Sequence, residues 1–123
     1  MKQRATNSPF PYQSAGWQLW HRAILALQAQ GTWRAEDAPL LHQYVRSVLA
    51  ADHARADLDE SGLTSVSADG RPVAHPLIKV ARDAEADARA VAADLLLTPA
   101  SRRRAGLDMA PDAVPPAWMS GVG

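Results

Sequence analysis

The stretch LIKVARDAEADARAVAADLLLTPASRRRAG, Leu77 to Gly106, decides the fold. Leu77, Ala81, Ala84, Ala88, Val91 and Leu95 recur at 4-3-4-3-4 spacing, the period of a helix whose apolar seam faces another helix. Pro76 suits a first turn, so the spacing predicts a helix from Pro76 to about Leu97. Alanines fill the centre of the seam, and small side chains let a second helix approach closely. On the outer face, Glu85 with Arg89 and Lys79 with Asp83 form i,i+4 pairs worth only about 0.2–0.5 kcal/mol each. Leu97 packs at the helix end, where the run breaks. Thr98 is placed to cap a new helix and Pro99 to open it, so Ser101 to Arg104 form a short exposed element carrying Arg102, Arg103 and Arg104.

Upstream the same logic yields two more helices. Ser14 caps a helix that runs to about Gln30, where Gly31 supplies the stop. Trp17, Trp20, Ile24 and Leu27 share its apolar stripe, which reads as core packing rather than as a base-stacking surface. Leu19, Ala23 and Ala26 widen the stripe, as in a helix sandwiched between others. A second helix starts near Ala35, with Glu36 and Asp37 at its positive end and Pro39 in its first turn. Leu41, Tyr44, Val48, Ala51 and Leu58 keep the helical period as far as Glu60, a rod of about 36 Å that Gly62 ends. Residues 62–74, with Asp69-Gly70 and Pro72, read as an irregular connection or a short hairpin. The expected organisation is a flexible arm over residues 1–13, a helical domain over 14–105 and a flexible Gly/Pro-rich tail over 106–123. Trp118 and Met119 in that tail read equally as an apolar hook for a neighbour or as a loose end.

A chain of 123 residues is one domain's worth. It has no cysteine, hence no disulfide or thiolate site, and no apolar run of membrane-spanning length. Its first residues lack the apolar core of a signal peptide, and the reading is a cytoplasmic protein. The net charge of zero conceals segregation: residues 1–34 carry Lys2, Arg4, Arg22 and Arg34 with no acid, whereas residues 35–69 carry seven acids against Arg46 and Arg55. Separate basic and acidic faces suit DNA and a protein neighbour; a merely solubilising surface is the plainer alternative.

Chemistry finds no foothold. DLDESG, Asp57 to Gly62, imitates the start of a calcium loop, but Ala68 stands where the bidentate glutamate belongs. His21, His42, His53 and His75 have no zinc-ligand spacing. No phosphate loop or nucleophile elbow occurs, so neither cofactor nor catalysis is expected. The three consecutive arginines can grip phosphates, or simply complement a helix end. A helix-turn-helix around Gly31 is weakened by the length of its second helix.

From His75 to Arg104 the sequence resembles bacteriophage terminase small subunits of the compact P-twenty-seven type. The resemblance lies in the entry His75-Pro76, the long Ala- and acid-rich helix, and Leu97-Thr98-Pro99 followed by Ser101 and Arg102. Upstream, the stop at Gly31, the acidic start at Asp37, the run Leu40 to Val45 and the close at Gly62 are also similar. The family commonly has Gly where Leu96 stands, so a different cap or a straighter helix end is expected here.

The resemblance implies an all-α, ring-forming homo-oligomer without enzymatic activity, acting in viral DNA packaging and virion assembly in the host cytoplasm. Such a ring binds double-stranded viral DNA and recruits or regulates the large terminase subunit, which holds the ATPase and nuclease. Arg102, Arg103 and Arg104 are the first candidates for phosphate contact, followed by Arg22, Arg34, Lys2 and Arg4. Tyr44, Val48, Ala84, Ala88 and Val91 are expected at or near the helix contacts of the oligomer core. The competing reading is a helical adaptor or regulator that binds protein alone.

Overall fold

The computed structural model describes residues 8–107. The fold is mostly helical, with one very small sheet. Helix α1 spans Ala15–Ala29, a single 3₁₀ turn spans Ala35–Asp37, and α2 runs directly on from it over Ala38–Ser61. Strands β1 (Thr64–Val66) and β2 (Pro72–Ala74) form an antiparallel hairpin. Helix α3 spans Leu77–Asp94, and the six-residue α4 spans Pro99–Arg104.

The starts follow from capping chemistry. The Ser14 hydroxyl accepts the Trp17 N–H at 3.1 Å. Pro39 sits in the first turn of α2, where its missing N–H costs nothing. His75 Nδ1 accepts the Leu77 N–H at 3.1 Å and so caps the entry to α3.

Helices α2 and α3 pack antiparallel along their lengths, and α1 lies across the half nearest the start of α2. Trp20, Ile24 and Leu27 of α1 meet Leu41, Tyr44, Val45 and Val48 of α2 and Ala88, Val91, Ala92 and Leu95 of α3 in one core. A smaller cluster of Ala54, Leu58 and Ala81 closes the hairpin end. The alanine seam does what its spacing predicts: Ala81 and Ala88 are fully buried, and the two helices make the most extensive contact in the fold. Burial of Tyr44 pushes its phenol up to about 12, against a smaller opposing pull from Arg22.

Three expectations are corrected. Trp17 is not a core residue: it is half-buried at the surface, stacked on His21 at 4.9 Å with Tyr12 edge-on at 4.9 Å. Glu85 does not lie on the outer face of α3. It is buried, and its carboxylate accepts Arg55 Nε at 2.8 Å and Nη2 at 2.9 Å, so the pair ties α2 to α3. The Lys79–Asp83 pair stands as expected, exposed, at 2.9 Å. Thirdly, residue 10 is anchored. Phe10 stacks on His42 at 5.1 Å and tilts against Trp20 at 6.2 Å. It comes so close to α1 that a Cβ on Gly16 would stand 2.7 Å from its Cδ1, so only glycine admits it.

The end of α3 is capped as a glycine would cap it, but by leucine. Leu97 N–H reaches Ala92 O at 2.8 Å and Leu96 N–H reaches Ala93 O at 3.1 Å, the paired bonds of a Schellman end. Leu96 therefore takes φ 64°, in the left-handed region. Gln30 Nε2 donates to its carbonyl at 3.0 Å and helps hold it there. A side chain in that region costs about 1–2 kcal/mol. Leu96→Gly should accordingly raise stability by about 1 kcal/mol, read as a higher denaturant midpoint at unchanged m-value. A lower midpoint would mean that packing of the half-buried leucine outweighs the strain.

Candidate nucleic-acid interface

The basic element is built by its cap. Thr98 Oγ1 accepts the Ser101 N–H at 3.1 Å, and Thr98 N–H donates to Ser101 Oγ at 3.3 Å, a reciprocal capping box. Pro99 fills the first turn. Pinning Ser101 fixes the rotation of α4 about its axis. Its Ser101–Arg102 side turns into the protein, and its Arg103–Arg104 side faces solvent.

That rotation separates the three arginines. Arg103 and Arg104 are exposed. Arg102, expected on the same exposed run, has no accessible surface, and its Nε, Nη1 and Nη2 have no hydrogen-bond partner among the described residues. Burial, reinforced by Arg103, lowers its pKa from the ordinary arginine value. Arg34 is exposed, and it lines a cavity of about 290 Å³ with Leu95 and Leu96, at the corner leading into α4. Arg22 is exposed on α1 and bears on Tyr44 of α2. Lys2 and Arg4 lie outside the described residues, as do Trp118 and Met119.

The residues expected at oligomer contacts are largely committed within one chain. Tyr44, Val48, Ala88 and Val91 are buried between α1, α2 and α3 because the α2–α3 seam closes on itself. Ala84 alone of the five is only half-buried, and it lines a groove of about 480 Å³ with Ala50, His42, Arg46, Ser47 and Asp87. This groove gathers serine, histidine and aspartate, a juxtaposition the sequence does not reveal. Of these side chains, His42 is stacked on Phe10. No group of three potential metal ligands occurs among the described residues. Among them, too, no helix is long and apolar enough to cross a membrane.

A further surface is apolar. Leu63, Val66, Val73 and Val80 are exposed, with Val66 70% accessible. The register puts Val66 and Val73 on opposite faces of the ribbon, and a two-stranded ribbon has no second layer to cover either face.

Fold and surface together define a small, mostly helical protein whose candidate site is a cationic corner. The chain belongs to the phage terminase small-subunit family: a family model described as phage terminase, small subunit, matches residues 16–111. This covers every described helix, and it supports a role in phage DNA packaging for a member of a generally non-catalytic family. No curated protein and no solved structure matches the chain.

Proposed function

We propose that the chain is the DNA-contacting small subunit of a packaging terminase, assembled as a ring that recruits or regulates the large subunit. The observation that carries this reading is the family match over residues 16–111, which spans the capped helix that presents Arg103 and Arg104. Two exposed arginines per chain give weak, salt-sensitive and sequence-independent phosphate contact. A ring multiplies such contacts and gains avidity without any new interaction. The exposed Leu63, Val66, Val73 and Val80 support self-association, because an interface would take their apolar surface out of water.

Two measurements test the reading. Light scattering or native mass spectrometry of the purified chain should return one discrete oligomer above a tetramer, and a stable monomer would overturn the ring. Retention on DNA resin at low salt should be strong and elute steeply with salt. Flow-through would favour the adaptor that binds protein alone. The joint variant Arg103→Ala/Arg104→Ala should flatten the slope of log K against log salt by about 0.9 for each phosphate no longer neutralised, at unchanged oligomer mass. An unchanged slope removes these two residues from the interface.

A further inference from the structure

Arg102 is the anomaly of the fold. Its side chain has no accessible surface, all three guanidinium nitrogens lack hydrogen-bond partners among the described residues, and the like charge of Arg103 bears on it. Its backbone is firmly held: Arg102 N–H donates to Thr98 O at 3.0 Å, and Leu107 N–H donates to Arg102 O at 2.9 Å. The capping box of α4 therefore fixes the backbone from which the side chain departs, on the inward side of the helix. Arginine keeps its charge under all ordinary conditions, and a charge taken out of water without a counter-charge is strongly unfavourable. Yet among the described residues no acidic side chain pairs with it.

We infer that Arg102 is a receptor for an oxyanion of the phosphate class, the missing counter-charge that completes the α3–α4 corner. A guanidinium fork offers paired donors to two oxygens of one group, which suits a tetrahedral oxyanion. Phosphate fits better than a side-chain carboxylate because Arg103 and Arg104 follow directly and raise the local positive charge. Access requires little: α4 is six residues long and leans chiefly on α3, so displacing a single turn and a half uncovers the group. The inference rests on the DNA reading above only for the source of the phosphate, the duplex backbone.

The test is thermal unfolding of the full chain in sodium phosphate against sodium chloride at equal ionic strength. The wild type should gain about 4–8 °C in phosphate once the anion exceeds its Kd about fivefold. Lys79→Ala, exposed at the opposite end of α3, should keep that gain and Arg102→Met should lose it. An equal gain in wild type and Arg102→Met overturns the site. If Arg102→Met does not fold, the wild type answers alone. The Arg102 Nε–H resonance, told apart from that of the paired Arg55 by Arg55→Lys, should shift saturably with phosphate and not with chloride, and no such shift overturns the site. A short duplex that reproduces the shift identifies the DNA backbone as the source. A response to inorganic phosphate without one to duplex upholds the anion site while removing the DNA reading.

Discussion

Leu41→Ala is expected to cost about 2–5 kcal/mol. Leu41 is 0% exposed, one turn into α2, where α1 and the end of α3 converge on it. Removing its isobutyl group forfeits the transfer free energy of the deleted methylenes and leaves a cavity that three helices wall rigidly. Domains of this size have only about 5–15 kcal/mol in hand, so the variant should unfold at a much lower denaturant concentration with m unchanged. Chemical denaturation followed by tryptophan fluorescence reads it directly, since Trp20 shares the same core. A loss below about 1 kcal/mol would mean that the helices close over the space.

Arg55→Ala should cost about 1–3 kcal/mol at neutral pH, and the cost should vanish in acid. The reason is asymmetry. The Glu85 side chain is only 11% exposed whereas that of Arg55 is 45% exposed, so deleting Arg55 strands a carboxylate that water cannot fully reach. The hydrogen bonds from Arg55, against the opposing effect of burial, hold the Glu85 carboxyl below its ordinary value of 4.5. A depressed acid stabilises the fold above its unfolded pKa, and the contribution fades as pH falls through the lower folded value. Wild type and variant should therefore differ fully at pH 7 and converge progressively below about pH 4.5. A gap that persists unchanged at pH 3 would assign the loss to the aliphatic stem of Arg55 instead of its charge.

The sequence made the helices legible because their determinants are local. Ser14, Pro39, Gly62, Thr98 and Pro99 each act on their own turn, so a linear reading finds them at the right places. The seam of α3 was legible for the same reason: its period is a property of one helix. What escaped depends on rotation and contact between helices. Glu85 has a suitable cation four residues away in Arg89, but the packing angle of α2 against α3 delivers Arg55 as a bidentate partner. Similarly, consecutive arginines look alike in a sequence, whereas a six-residue helix pinned by Ser101 must turn one of them inward. Phe10 belonged to a proline-bracketed arm by composition, and its seat is made by an absence, the missing side chain of Gly16. Leu96 shows the reverse case: hydrogen bonding and Gln30 impose a glycine-like backbone on a residue whose type argues against it.

The hairpin edges are unequal. Thr64 pairs with Ala74, Ser65 with Val73 and Val66 with Pro72, while Ser67 N–H meets Arg71 O and His75 N–H meets Leu63 O. This alternation turns the main-chain groups of residues 64, 66, 72 and 74 away from the ribbon. On the β1 side both Thr64 and Val66 present an N–H, whereas on the β2 side proline removes one of the two. A growing sheet needs two competent margins, because each added strand must leave a fresh template for the next. This ribbon can accept one guest along β1 and then stops, so exposed valines beside it can serve recognition without seeding open-ended polymerisation.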